Sequence, residues 1–122
     1  DPVIETMILE AAASAGINRR TFSPFDIQNR LVLAMINEAA NILFDGIAAT
    51  AADVDLVLVH GYGFPRWRGG LLYYADRIGV DRLLAMLRMC ASEDPLVWRP
   101  SPVILKCAEA KISLADWRVQ NQ

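Results

Sequence analysis

Little in this sequence is of the kind that usually announces chemistry. Among 122 residues there are one histidine and two cysteines, and the acids outnumber the bases by fourteen to twelve. With no second histidine and no CxxC spacing, a zinc site lacks a ligand set. A formal charge of −2 leaves no net positive field to hold a nucleic-acid backbone or an anionic membrane surface. The longest uncharged apolar stretch, Leu31 to Ile36, is far short of the ~20 residues that span a bilayer. No GxGxxG turn follows a strand, and neither a Walker loop nor a GxSxG elbow is present, so the motifs of dinucleotide, P-loop and α/β-hydrolase sites are missing. The first residues show neither an initiator Met nor a secretory signal pattern, which reads as a chain that starts inside a longer polypeptide and is not secreted.

What is present is apolar. Hydrophobic residues make up 54% of the chain against 21% charged, well on the folded side of the disorder boundary. At this length one domain is expected, with folding removing roughly two-thirds of the surface the unfolded chain exposes. The excess of apolar residues leaves some for a partner. Cys90 and Cys107 fall in separate predicted helices and read as reduced, partly buried thiols.

Helical spacing predicts about six helices and no clear strand alternation. The first runs from near Val3 to Ala15, with Ile4, Ile8 and Ala11 or Ala12 on one face and Gly16 at the left-handed stop position. Ser23, Pro24 and Asp26 make a strong start for the second. From Ile27 to Phe44 that helix is apolar on most sides, with Arg30, Asn37, Asn41 and Asp45 in a narrow polar stripe, which predicts a central helix wrapped on nearly all faces. Gly46 ends it. Thr50 to Asp53 repeats the capping pattern, and Val54 to Val59 is read as helix although its β-branched content also suits a short buried strand. A fourth helix is predicted from near Gly70 to Gly79, and a fifth from Val80 to Met89 with Leu83, Leu84 and Leu87 inward. Pro95 and Pro100 mark a linker, and Ser101 and Pro102 start the last helix.

The segment Gly61 to Gly70, GYGFPRWRGG, is too glycine-rich for a helix and reads as an ordered loop. Pro65 pushes Phe64 into an extended conformation suited to plugging a neighbouring surface. Arg66 and Arg68 precede a predicted helix N-terminus, where a phosphate or carboxylate could dock. The preferred alternative is a turn that lets two helices pack closely, its arginines meeting Asp76 or a partner's acid. His60 reads as a structural side chain at a helix end, because no acid is identifiable to orient it as a base. Asn37 and Glu38 are adjacent on the central helix, where a buried carboxylate would need a partner such as Arg30; a structural polar bridge is preferred over catalysis. Trp67, Trp98 and Trp117 are too scattered for a base-stacking platform.

Taken in order, Gly16-Ile17, Arg20, Phe22-Ser23, Asp26-Ile27, Arg30, Asn37-Glu38-Ala39, Leu43, Gly46-Ile47, Asp53-Val54-Asp55, the Gly61 to Gly70 loop, Tyr74-Ala75-Asp76 and Gly79 resemble the 3-hydroxyacyl-CoA dehydrogenase C-terminal domain family. Within it the likeness is to the last helical copy of multifunctional hydratase–dehydrogenase enzymes, of the fatty-acid oxidation complex alpha-subunit type, and it covers residues 1–122 as a single domain. The resemblance implies an all-α orthogonal bundle of the 6-phosphogluconate dehydrogenase C-terminal-like type. It also implies a parent enzyme of fatty-acid β-oxidation, fused to an enoyl-CoA hydratase. There a Rossmann domain outside this chain binds NAD and supplies the catalytic His with its orienting Glu. The helical domain closes over acyl-CoA and makes the dimer contact. Where it is duplicated, two copies in one polypeptide mimic the dimer, and the closing copy is mainly structural.

Asn29 matches by residue an Asn-Arg pair of the substrate-facing copy, but Ser23-Pro24-Phe25-Asp26 does not match that copy's lead, so no catalytic role passes to Asn29. Leu71 stands where the family often has proline, a difference of helix initiation. The expectation is therefore a chain with no catalytic, cofactor or metal residue of its own. Its interface or loop candidates are Arg30, Asn37, Glu38, Phe64, Pro65, Arg66, Trp67, Arg68, Gly69 and Gly70, with Phe64 and Trp67 as anchors. The expected partners are the preceding helical and Rossmann domains, or a second copy of the chain when it is alone. The expected compartment is bacterial cytoplasm or an organelle matrix. The runner-up is a free-standing helical interaction module, and the least favoured reading is a small enzyme using His60 or Glu38.

Overall fold

A computed structural model describes residues 1–17, 21–61 and 70–118, and these form six α-helices with no strand among them. They are α1 (Pro2–Ser14), α2 (Pro24–Phe44), α3 (Ala51–Gly61), α4 (Leu71–Ile78), α5 (Val80–Ala91) and α6 (Pro102–Ala110). The all-α expectation holds, and four of the six helix starts follow from local chemistry.

At α2 the Ser23 hydroxyl accepts from the Asp26 N–H at 3.1 Å while the Asp26 carboxylate accepts from the Ser23 N–H at 3.4 Å. Thr50 and Asp53 build the same reciprocal pair at α3, at 3.2 and 3.3 Å. This box settles the helix-or-strand ambiguity of Val54 to Val59: it nucleates a helix, and no described strand offers those β-branched residues a ladder to join. Asp1 caps α1 and Ser101 caps α6 through the N–H groups of Val3 and Val103. Three helices end alike. Gly16 with Ile17, Gly46 with Ile47 and Lys111 with Ile112 each return two N–H groups to the last turn, the first of each pair at positive φ. Only Lys111 does so with a side chain to accommodate.

α2 packs on α4 and α6, α3 on α4, and α5 on α4 and α6. The shared core contains Leu33, Ile36, Leu43, Leu71, Leu72, Leu83, Leu87, Val103, Ile104 and Leu114. Leu71, the residue standing in place of a family proline, is 1% exposed and so adds a buried side chain that also begins α4. Leu83, Leu84 and Leu87 point inward as predicted, and α5 runs on to Ala91, which brings Cys90 into the core. Both cysteines are free and buried, Cys107 fully.

One expectation is corrected. α2 is not wrapped on nearly all faces: Phe25, Ile27, Leu31, Met35 and Phe44 are exposed. The reason is geometric, since the helices packed on it are α4 and α6, which cover the side bearing Leu33, Ile36, Ala40 and Leu43. α1 forms over the expected stretch, and none of its residues is buried. Its apolar spacing is real, but its large apolar side chains stay exposed.

Candidate functional site

The polar residues singled out by the sequence lie on the bundle as braces. Arg30 forms a two-pronged bond to Glu93, at 2.9 and 3.2 Å, with its guanidinium 5.0 Å from the centre of the Phe22 ring. That bond is the largest influence holding the Arg30 pKa up, with burial next and opposing it. Arg30 thus pairs with the segment after α5 and not with Glu38. Asn37, 6% exposed, donates to the Arg99 carbonyl at 2.8 Å and accepts from the Ser101 N–H at 2.7 Å. The polar stripe on α2 is a seam that fastens the α5–α6 connection. Glu38 is exposed, meeting Asn41 at 3.5 Å, so it needs no buried counter-charge.

At Gly70 the chain does something the sequence reading left open. The start of α4 has no cap of its own, since Gly70 has no side chain. Asp55, reaching across from α3, accepts from the N–H groups of Leu72 at 2.6 Å and Tyr73 at 2.9 Å. A carboxylate does dock at this helix N-terminus, and it is the chain's own. Burial pushes the Asp55 carboxyl above its ordinary range, opposed by the Leu72 and Tyr73 bonds and reinforced by the charge of Asp76. Gly70 has φ +107°, and a Cβ there would fall 2.6 Å from Asp55, so glycine is required twice over. Asp76 accepts from the N–H groups of Leu114 at 2.7 Å and Ala115 at 3.0 Å; the loop arginines suggested as its mates lie outside the described residues.

Asp55, Asp76 and Glu93 were not among the sequence candidates. Asp55 was legible as the second acid of Asp53-Val54-Asp55, but the spacing alone does not say that each acid caps a different helix. Phe64, Pro65, Arg66, Trp67, Arg68 and Gly69 lie outside the described residues, as does the side chain of His60.

Between α2, residues 47–49 and α3 lies an open cavity of about 640 Å³. Met35, Ala39, Ile42, Ile47, Val54, Val57, Leu58 and Leu71 make its wall largely apolar, with Glu38 and Asp53 its charged members. Asp53 is already committed to Thr50. The arrangement suits binding of an apolar group and offers no nucleophile. Among the described residues no three His, Cys, Asp or Glu side chains are grouped to hold a metal ion. No described helix is long and apolar enough to cross a membrane.

The family model described as 3-hydroxyacyl-CoA dehydrogenase, C-terminal domain, matches residues 27–113. The Peroxisomal bifunctional enzyme of Danio rerio is 35% identical over 121 residues, which is 97% of this chain and 17% of that protein. Its Homo sapiens counterpart is 33% identical over the same length and shares. The Fatty acid oxidation complex subunit alpha of Pseudomonas entomophila is 37% identical over 94 residues, 77% of this chain and 13% of that protein. The chain therefore spans 17% or less of the length of these curated relatives. With a family match over most of its length and relatives 33–35% identical over 97% of it, the chain belongs to the 3-hydroxyacyl-CoA dehydrogenase C-terminal domain family.

Proposed function

We propose that this chain is the closing, non-catalytic helical domain of a larger NAD-dependent 3-hydroxyacyl-CoA dehydrogenase of fatty-acid β-oxidation, one that also carries an enoyl-CoA hydratase. The observation that carries the reading is how the polar signature is used. Asn37, Asp53, Asp55 and Asp76 are all bonded to this chain's own backbone, so they support shape and hold no group poised for substrate. A dehydrogenation needs a base and a hydride acceptor, and the domain's place in it is to present surfaces to the parts that have them.

NAD is the cofactor of the family's dehydrogenases, and the described residues do not fit it. A dinucleotide fold seats pyrophosphate at a helix N-terminus after a strand. Here no described strand exists, and the starts of α2, α3, α4 and α6 are filled by Ser23, Thr50, Asp55 and Ser101. On this reading NAD binds in a Rossmann domain outside the chain, and acyl-CoA is a substrate of the whole enzyme. Partners are that domain and a preceding helical copy, with self-association of the isolated chain through the surface that copy covers. The compartment is a peroxisome-like matrix or bacterial cytoplasm, in line with relatives named as peroxisomal and as bacterial oxidation-complex subunits.

Calorimetric titration of the isolated chain with NAD tests the reading. No heat of binding and no turnover of 3-hydroxyacyl-CoA are expected. Saturable micromolar binding, or turnover above a heat-killed control, would overturn it.

A further inference from the structure

α1 carries Val3, Ile4, Met7, Ile8 and Leu9, each between 47% and 66% exposed, and buries nothing. Val3, Met7 and Ile4, Ile8 stand at steps of three and four, so they form one apolar stripe, and Glu10, three residues beyond Met7, flanks it. Residues 1–17 include Asp1, Glu5 and Glu10 and no Lys or Arg. α1 is thus an acidic amphipathic helix in need of a groove.

Three open grooves lie on the described part of the bundle; the one lined by Thr21, Phe22, Asp26 and Arg30 has its arginine already paired with Glu93, and the other two differ in sign. The cavity between α2 and α3 is flanked by Glu38 and Asp53, which repel an acidic helix. The second lies between α2, α4 and α5, has a volume of about 270 Å³, and is lined by Phe25, Val32, Tyr74, Ile78 and Met86 with Arg82 among its members. Among the described residues neither Arg82 nor Glu10 has a hydrogen-bond or ion-pair partner. The lengths agree as well. From Phe25 to Ile36 the groove follows α2 for about 17 Å, and a helix of thirteen residues is about 20 Å long.

We propose that α1 docks into the α2–α4–α5 groove of a second copy of this chain, its apolar stripe on Phe25, Val32 and Met86 and its Glu10 carboxylate facing Arg82. The exchange is reciprocal, each copy giving one helix and receiving one, which closes a two-fold dimer. It rests on the association with a second helical copy proposed above and names the surface through which that association occurs. Phe25, 69% exposed, is the aromatic anchor of the groove.

Sedimentation equilibrium of the 122-residue chain at up to high micromolar concentration tests the proposal, with circular dichroism confirming that each variant keeps its helix content. A dimer is expected. Glu10→Arg and Arg82→Glu should each raise the dissociation constant about tenfold or more, because each places like charges across the contact, and the double variant should return to within about threefold of the parent. A dimer indifferent to both single reversals would overturn the groove while leaving the association intact. A monomer throughout would overturn both.

Discussion

Asp55 and Gly70 meet where α4 begins, and each makes the other necessary. Gly70→Ala must strain a backbone at φ +107° and push a Cβ into the Asp55 side chain, so a loss of more than about 3 kcal/mol is expected. Gly46 has φ +74° with nothing within 4 Å of its would-be Cβ, so Gly46→Ala should cost only about 1 kcal/mol. Urea unfolding of the pair checks the contrast, and equal losses would contradict it. Asp55 also makes a statement about pH. Because folding raises its pKa, the native state keeps a proton that the unfolded chain has already released. The Asp55 contribution to stability should therefore fall as pH rises from about 4, the ordinary carboxylate value, through the raised folded value. The stability of the parent relative to Asp55→Asn should decline over that window. A difference that grows with pH would mean a depressed pKa and would refute the burial argument.

Elements depend on such residues to different degrees. Asn37 satisfies two backbone groups of the α5–α6 connection from a site 6% exposed, and Asn37→Ala leaves both without it, at about 2–3 kcal/mol. Arg30 braces the same connection, but its side chain is 28% exposed and that of Glu93 41%, so Arg30→Ala should cost about 1 kcal/mol or less. Denaturant midpoints compare the two, and an Arg30→Ala loss as large as that of Asn37→Ala would reverse the ranking. At the end of α6, Lys111 holds φ +56° where the other two such ends use glycine. Lys111→Gly should stabilise the domain by about 0.5–1 kcal/mol, and a denaturant midpoint that falls would contradict it.

These cases also show which parts of the structure local sequence could supply. The starts of α2 and α6 and the stops at Gly16, Gly46 and Gly79 were readable because their partners lie within a few residues. The cap of α4 was not readable, because Asp55 is seventeen residues from Leu72. Arg30 likewise finds Glu93 sixty-three residues away, where sequence proximity had suggested Glu38.

At the scale of the whole molecule the same limit appears as a question of burial. Periodicity marks which residues of a helix share a face, and it did so for α1 and α2, but it does not say whether a neighbour covers that face. The exposed stripes of α1 and α2 are the apolar excess that the composition pointed to. The buried thiols behave in the opposite sense. Desolvation, reinforced by Asp76 and Asp116, pushes Cys107 up to about 11, so at pH 8 it is both covered and protonated. Thiol reagents should modify it only at the rate of unfolding, and fast labelling of the folded chain would show the core to be open.

The central claim is that this domain's polar signature holds shape and does no chemistry. Its most direct test is to place Asn37→Ala and Asp55→Asn in the full polypeptide that carries the domain, and to measure 3-hydroxyacyl-CoA oxidation per folded molecule alongside the thermal midpoint. The midpoint should fall while kcat and KM stay within about twofold of the parent. A kcat lowered about a hundredfold at an unchanged midpoint would place these residues in the reaction and contradict the account.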